Sequence, residues 1–572
     1  MSFQRKKLHD LLGAGLTSSF VTLLLTSVEF VIAGNFIGTD GIAGIGVVLP
    51  VFSVGLFVAR LLYSGTVCLF SRYQGEFDVK RAGEIVGLSL ELCAGAFVLI
   101  LATMAFLREP YLNSVGVTGG IREQATMYWN WAAINLSFMP FVGLATRLVP
   151  ADGGAKVSNV SNIAKSVVSI AVMVVVVGMT RSAAGCAIGG FSANVVGTGI
   201  LCLHLFSKRN GIHPKWHFSL SDAWALLSYA LTDSSARLCK GGVVAVANAI
   251  VMAYFGERFL AVVPIAILVC EFTIMCDRVG DDYTPLAGMY LGEGNNRGLR
   301  ALLSYSAWLS LALGAAVGAL VSAFSTLLPL AHGVRDAEIA RHCTWALCLA
   351  SLSLPVNSLL AFINSHFLIL GHVTLSVVMT WLEKFILTAL GMWLFAYMDG
   401  LDAMWLGFLF GGVLTLAVLF VYMWVAHRPV FPFFLPPEAD DTLNVSFVPE
   451  VRRIIDVRKA VEEFLSGHGT PRKEILRIML LVEECAMALI ENNRGCKGKV
   501  VAEGSFRAVD GETRVVFRDT GNNYDITDRD VRVKGLRDFV IAEMMHTYKD
   551  RRYMSAVGCN RAAFVFRHAD FA

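Results

Sequence analysis

Charged residues are scarce in this chain of 572 residues: they make up 16% of it, while hydrophobic residues make up 55%. Soluble domains usually carry roughly 25% charged residues. The scarcity is confined to residues 1–441, which hold 52 charges, whereas the much shorter stretch 442–572 holds 41. This excludes an ordinary soluble multidomain protein and predicts a membrane part followed by a soluble part. The formal net charge of +3 is too small to indicate a nucleic-acid partner.

Paired cysteines are missing as well. The twelve cysteines stand singly, without a Cys-x-x-Cys pair, and most lie in apolar runs where a free thiol packs as a small hydrophobe. This argues against a secreted disulfide framework and against a zinc site, so we expect no metal centre. The basic start, residues 1–10, runs into an apolar stretch without a small-residue cleavage site, which indicates a first membrane helix rather than a signal peptide.

Twelve apolar runs are long enough to cross the hydrocarbon core of a membrane, which takes roughly 20 residues. They cover residues 11–33, 46–70, 83–107, 124–149, 159–179, 184–206, 223–254, 259–290, 299–330, 340–367, 372–397 and 402–427. Lys and Arg favour cytoplasmic connections, and with the N-terminus inside these carry fourteen against six outside. We therefore predict a multi-pass α-helical protein of a bacterial inner (plasma) membrane, with both termini cytoplasmic.

The two halves of the membrane part resemble each other at an offset near 217 residues. Tyr73-Gln-Gly-Glu76 after the second run matches Tyr290-Leu-Gly-Glu293 after the eighth. Gly38 after the first run corresponds to Gly256 after the seventh, and Gly189 in the sixth run to Gly407 in the twelfth. Chance similarity between apolar segments is the alternative. Six runs per half would give parallel repeats that bind substrate between them near the membrane midplane. We expect two pseudo-symmetric six-helix lobes, residues 1–217 and 218–428.

Three segments resemble the multidrug and toxic compound extrusion (MATE) transporters. They are the first-span stretch 29–50 and the connections Ser71-Arg-Tyr-Gln-Gly-Glu76 and Pro285-Leu-Ala-Gly-Met-Tyr-Leu-Gly-Glu-Gly-Asn295. The resemblance extends over residues 8–428. It implies export of bulky organic cations or drugs, coupled to a gradient of H⁺ or Na⁺. A lipid-type substrate of the same superfamily is a further option.

Glu29 lies in the first run, five residues before Gly34. The resemblance implies a carboxylate at this place, usually Asp, that takes up the coupling ion. An ionisable group in a membrane costs roughly 2.5–3.5 kcal/mol on insertion scales and therefore indicates function. Burial raises the pKa of a carboxyl group and a nearby cation lowers it, so proton and substrate would exchange there. The alternative is a packing role inside the bundle.

The eighth run carries further charges for which we predict ion or substrate coupling. They are Glu271, Asp277, Asp281 and Asp282, together with Arg278. At the repeat offset Asp277 corresponds to Arg60, and Glu383 in the eleventh run corresponds to Lys165 in the fifth. These opposite charges predict contacts across the lobes in one state of the transport cycle. A hydrated cytoplasmic mouth is the alternative.

A proline-rich acidic linker, residues 429–441, separates the membrane part from a soluble domain of residues 442–572. The pattern beyond it predicts a strand at 443–448, helices at 450–466 and 471–493, and a hairpin of 500–509 with 513–518. A helix at 535–547 and strands near 551–555 and 561–567 follow. The predicted fold is an α/β sandwich.

This domain resembles the anti-sigma-factor type of histidine-kinase-like (GHKL) ATPases. Glu483 stands in a helix like the family's N-box, and Asp519-Thr-Gly521 after a strand resembles its first glycine box. The resemblance implies that Asp519, Gly521 and Gly535 contact ATP and that Glu483 is the catalytic residue if the domain is active. Met487 replaces the Asn that holds Mg²⁺, an ion that prefers oxygen ligands. We therefore expect a degenerate ATPase whose Mg²⁺ site is lost.

Two functions follow from these expectations. The first is an ion-coupled exporter of organic cations or drugs, regulated by the cytosolic domain through ATP or a partner protein. The alternative is a transporter-shaped receptor whose soluble domain captures an anti-sigma antagonist.

Overall fold

A computed structural model describes residues 3–37, 39–115, 118–207, 210–256, 259, 262–331, 336–426, 441–493, 500–509, 511–522, 524–525, 550–556 and 558–567. Within these ranges the chain forms a helical membrane part (α1–α17) and a C-terminal domain built on a β-sheet. The helices of the first half are α1 Phe3–Phe36, α2 Thr39–Tyr63, α3 Thr66–Gly75, α4 Val79–Val115, α5 Gly119–Ala151, α6 Ala155–Thr180 and α7 Ala184–Cys202.

The second half of the membrane part is broken into more pieces. Its helices are α8 Leu220–Tyr254, α9 Val262–Cys276, α10 Arg278–Gly292, α11 Asn296–Ala323, α12 Leu327–Ala331, α13 Ala337–Ser351, α14 Leu354–Ile369, α15 Val373–Trp381, α16 Leu387–Asp399 and α17 Gly407–Val425. A π-helical turn, Leu382–Ile386, joins α15 to α16. We call α1–α7 the N-lobe and α8–α17 the C-lobe.

Helices occupy all twelve places at which the sequence predicts spans. Within the described residues nine helices are long and apolar enough to cross a membrane, or ten if the bent pair α13–α14 counts as one span. The shortfall from twelve comes partly from breaks. The second predicted span is divided into α2 and α3, but Val54–Gly75 still counts as one span across that break. The eighth, its counterpart in the repeat, is divided into α9 and α10 and is not among those counted.

The two lobes meet where α3 packs against α10. Gly75 at the end of α3 lies so close to α10 that an added Cβ would sit 2.7 Å from the carbonyl oxygen of Met289 and 2.8 Å from Cα of Gly292. Both neighbours are backbone atoms, so neither can turn aside. The ends of the two lobes that carry the α3–α4 and α10–α11 connections, together with the start of α1, are called the docked end below.

We expect Gly75→Ala to lower the stability of the chain by about 1–3 kcal/mol, because overpacked sites force backbone shifts. The matched control is Gly95→Ala on the exposed face of α4, where an added Cβ would have no neighbour within 4 Å. That change should be neutral or stabilising by about 0.5–1 kcal/mol, since alanine favours a helix. Thermal unfolding of both variants in one detergent measures the difference. Equal melting temperatures would contradict the close packing of α3 and α10.

The C-terminal domain is a five-stranded antiparallel sheet covered by two helices on one face. Its elements are β1 Thr442–Phe447, α18 Val451–Gly467, α19 Arg472–Asn492, β2 Ala502–Val509, β3 Glu512–Asp519, β4 Arg551–Ala556 and β5 Cys559–Arg567. The strand order is β1-β2-β3-β5-β4. Each of these elements lies within two residues of its predicted bounds, while the helix expected at 535–547 lies outside the described residues.

Side chains alternate between the two faces of each strand. Phe506, Val515 and Phe564 point to one face and form a core with α18 and α19. The residues next to them in sequence point to the opposite face, which packs against the docked end of the membrane part. Met554 of β4, for example, joins a hydrophobic core made by α1, α10, α11 and α14.

Candidate functional site

Glu29 of α1 faces Tyr128 of α5 inside the N-lobe. Its Oε1 accepts a hydrogen bond of 3.0 Å from the hydroxyl of Tyr128, which is 5% exposed. Ile32 and Ala33, three and four residues further along α1, lie on the same side of the helix as Glu29 and are buried in the N-lobe core. With this hydrogen bond to Oε1, the carboxyl group retains acceptor sites for a proton or a cation.

Sequence reasoning did not identify Tyr128 or the polar residues near it. Asn135 stands seven residues after Tyr128, two turns along α5, and its Oδ1 accepts a hydrogen bond of 2.9 Å from Nδ2 of Asn194 on α7. Tyr128 and Asn135 therefore give α5 a polar face directed into the N-lobe. The sequence could have indicated this face, because Tyr128 and Asn135 are two polar residues at helical spacing inside the fourth predicted span.

The C-lobe contains a second group of charges. Glu271 of α9 forms an ion pair with Lys240 of α8. Glu383, in the π-helical turn, is buried with 2% of its side chain exposed, and its Oε1 lies 3.7 Å from Nζ of Lys384. Asp277 is close enough to Glu383 and Lys384 to interact with both electrostatically. Among the described residues, three carboxylates and two ammonium groups thus meet inside the C-lobe.

In this conformation Glu383 faces Lys384 and not Lys165. Lys165 lies in the N-lobe, where its alkyl chain packs over Gly197 between α6 and α7. Contact between Lys165 and Glu383 stays a prediction for another state of the cycle, and so does contact between Arg60 and Asp277. Sequence reasoning missed Lys384, although it stands next to Glu383 in the middle of a predicted span.

A charged contact does join the two lobes, through a residue that the repeat offset did not indicate. Arg147 of α5 lies 3.5 Å from Asp281 of α10. Within α10, Arg278 pairs with Asp281 at 3.3 Å and with Asp282 at 3.2 Å. These acidic residues therefore form a cross-lobe ion-pair network, with α1 passing beside it at Gly15.

The residues with an implied nucleotide role lie at one end of the C-terminal sheet. Oδ1 of Asp519 accepts hydrogen bonds from the backbone N of Gly521 (2.8 Å) and from Nδ2 of Asn560 (2.9 Å). Asp519 and Asn560 border a cavity of about 20 Å³ that Tyr524 and Tyr553 also line. This volume holds about one water molecule. Gly535 lies outside the described residues.

Glu483 lies away from this cavity. Its Oε2 accepts a hydrogen bond of 2.8 Å from Nη1 of Arg458 on α18, and both side chains are partly exposed. Cys485 and Leu489 of the same helix line the cavity instead, and Met487 packs against the domain core. Glu483 is therefore not among the residues that line the cavity beside Asp519.

Comparison with known proteins agrees with the helical architecture. Residues 15–175 match the model of the MatE family. An outward-facing multidrug resistance MATE family transporter of the MOP superfamily superimposes with a TM-score of 0.69 at 19% identity, covering 74% of this chain and 96% of its own. A MATE structure in the straight conformation (TM-score 0.68) has the same identity and coverage.

A third structure, a MOP superfamily transporter from Pyrococcus furiosus Vc1, is described as having a binding pocket of reversed polarity. It also gives a TM-score of 0.68 at 19% identity, with 74% of this chain and 96% of its own covered. No curated protein matches the sequence. These likenesses show the MATE fold for the membrane part.

Proposed function

Because the chain has the MATE fold and residues 15–175 match the MatE family model, we propose that it is an exporter of bulky organic cations or drugs. The observation that carries this proposal is Glu29, a carboxylate inside the N-lobe core with Tyr128 as its hydrogen-bond donor. Energy for export would come from a gradient of H⁺ or Na⁺.

The proposed exchange takes place at Glu29. A carboxylate surrounded by apolar side chains favours the neutral, protonated form or a bound cation. An arriving organic cation would stabilise the ionised carboxylate and release the coupling ion. Tyr128 holds the carboxyl group in place during the exchange, since its hydroxyl can donate to either form. The carboxylates of Glu271, Asp277 and Glu383 in the C-lobe would offer further oxygen ligands for a cation.

Location and regulation belong to the same proposal. We place the protein in a bacterial inner membrane with both termini, and hence the docked end, in the cytoplasm. Regulation by the C-terminal domain is supported by the pairing of Asp519 with Asn560 at the ends of β3 and β5. Asp519 is next to Arg518 and Asn560 is next to Arg561, and both of these arginines contact the membrane part. The GHKL resemblance suggests ATP or an anti-sigma antagonist as the regulator.

Efflux of ethidium from everted membrane vesicles tests the transport function. Vesicles with the full chain should accumulate the dye when a gradient is imposed and lose the accumulation when the gradient is collapsed. Imposing a pH gradient and a Na⁺ gradient separately identifies the coupling ion. The alternative function, a transporter-shaped receptor, would be favoured if neither gradient drives accumulation and an organic cation releases a bound partner protein.

A further inference from the structure

The face of the C-terminal sheet opposite α18 and α19 carries a buried charged cluster against the membrane part. The docking cluster consists of Tyr290 and Glu293 of the C-lobe with Glu503, Arg518 and Arg561 of strands β2, β3 and β5. Side-chain exposure is 2% for Glu293, 1% for Glu503 and 0% for both arginines. Charges buried this deeply are retained only where partners satisfy them.

Arg561 contacts both lobes at once. Its Nη1 donates to the backbone oxygen of Gln74 at 2.8 Å and its Nη2 to that of Gly75 at 3.3 Å, both at the end of α3 in the N-lobe. Its Nε donates to Oε1 of Glu293 at 3.0 Å, just after α10 in the C-lobe. One planar guanidinium group therefore joins the two helices that pack where the lobes meet.

Arg518 holds the domain to the C-lobe beside this contact. It pairs with Glu293 and donates to Oε2 of Glu503 at 2.5 Å. The hydroxyl of Tyr290 donates to the same oxygen of Glu503 at 2.6 Å. Glu293 is thus shared by two arginines that belong to the domain. Lobe and domain cannot separate without exposing or unpairing these charges.

The start of α1 and the α3–α4 connection add contacts on the N-lobe side. Nε2 of Gln4 donates to Oε1 of Glu503 at 3.0 Å, and Nζ of Lys7 donates to the carbonyl oxygen of Gly558 at 2.9 Å. Arg561 also covers the ring of Phe77, at 4.4 Å from its centroid. Phe77 has φ 58°, a backbone conformation that a bulky residue rarely adopts, so the connection is strained in the docked form.

We propose that the C-terminal domain is a clamp that holds the two lobes together at the docked end and must release before they separate there. The proposal rests on the proposed function, because alternating access requires the lobes to part on each side in turn. Separation of α3 from α10 would pull Gln74 and Gly75 away from Glu293, and Arg561 could then keep its hydrogen bonds to only one of the two lobes. Charge-assisted hydrogen bonds of this kind are the strong ones, so the docked domain favours the state closed at this end.

Three thiols report undocking, lobe separation and folding without any need for transport. Cys559 is 0% exposed and packs against Phe3 and Val501 at the interface, so it reacts when the domain leaves. Ser71 of α3 is 1% exposed and faces Gly288 of α10, so the thiol of Ser71→Cys reacts when the lobes part. Cys186, 1% exposed in the N-lobe core, reports loss of the fold.

The experiment measures maleimide labelling of these sites by mass spectrometry in the full chain carrying Ser71→Cys. Arg561→Ala should raise labelling at both position 71 and Cys559 by about tenfold or more, because Glu293, Gln74 and Gly75 all lose their charge-assisted bonds. Cys186 should stay unreactive. The control is Arg567→Ala on the same strand, where the side chain is 62% exposed and pairs with Asp550; it should change neither rate.

Faster labelling of Cys559 with no change at position 71 would overturn the clamp, since the domain would then leave without freeing the lobes. Unchanged labelling at both sites would overturn it as well. If Cys186 becomes reactive in Arg561→Ala, Arg561→Lys replaces it, because lysine keeps a charge for Glu293 but lacks the fork that reaches Gln74 and Gly75. Failure of ethidium transport would leave these rates unaffected, so the two proposals fail separately.

Discussion

Glu293→Gln is expected to weaken docking of the C-terminal domain by about 3–5 kcal/mol, the usual effect of removing one partner from a buried ion pair. Glu293 accepts hydrogen bonds from both Arg518 and Arg561. Glutamine can accept hydrogen bonds but leaves the two guanidinium charges without their shared counter-ion. Labelling of Cys559 in the full chain should therefore become roughly two to three orders of magnitude faster, since each 1.4 kcal/mol is a factor of ten.

Glu503→Gln is the matched control within the same cluster. Glu503 is equally buried, but of the two arginines only Arg518 is paired with it, and Arg518 keeps Glu293 when Glu503 is changed. Burial also raises the pKa of Glu503, so loss of its charge is less costly. We expect a clearly smaller increase in Cys559 labelling than for Glu293→Gln. Equal effects would mean that burial of any carboxylate here, and not the sharing of Glu293, stabilises docking.

Acid should release the domain through the same residue. Burial alone would raise the pKa of Glu293, but the charges of Arg518 and Arg561 outweigh burial and hold it below the ordinary value of 4.5. A carboxylate with a lowered pKa adds stability that is complete above the undocked value and is lost as the pH falls through the docked value. Glu503, whose pKa is raised, acts in the opposite sense. Docking should therefore weaken below about pH 4.5, and less so in Glu293→Gln.

The general architecture follows from the sequence because it depends on local patterns. Apolar length alone places all twelve predicted spans on helices, and alternation places each described strand of the C-terminal domain within two residues. The resemblance to MATE transporters rests on short segments such as Ser71–Glu76, and the fold comparison agrees with it. Glu29 could be identified because a carboxyl group in an apolar run is unusual in itself.

The partners of these residues could not be predicted, because they depend on how distant elements pack. Glu29 meets Tyr128, and Arg147 meets Asp281, across helices whose relative rotation no local pattern determines. The repeat offset paired Glu383 with Lys165, but symmetry relates positions and does not require contact. The docking cluster could not be predicted for a further reason. Tyr290 and Glu293 belong to a segment that resembles MATE transporters, so nothing in the sequence indicated that they contact the C-terminal domain.

Glu29→Gln should abolish gradient-driven accumulation of ethidium in everted vesicles, reducing it to the level of vesicles with a collapsed gradient. Glutamine is nearly isosteric and its carbonyl oxygen can still accept the hydrogen bond from Tyr128. The hydrogen bond between α1 and α5 is therefore kept, while the group that binds and releases the coupling ion is lost. Binding of ethidium, measured by fluorescence polarisation, should weaken far less than transport.

Glu123→Gln, on the exposed surface of α5 five residues before Tyr128, provides the control and should transport as the unchanged chain does. Glu29→Asp should retain part of the activity, because it keeps the ionisable group while shortening its reach toward Tyr128. Tyr128→Phe removes only the donor, so it should shift the pH dependence of transport and leave its maximum within a few-fold. If Glu29→Gln transports normally while Glu383→Gln does not, the coupling site lies in the C-lobe. Glu29 would then be a packing residue.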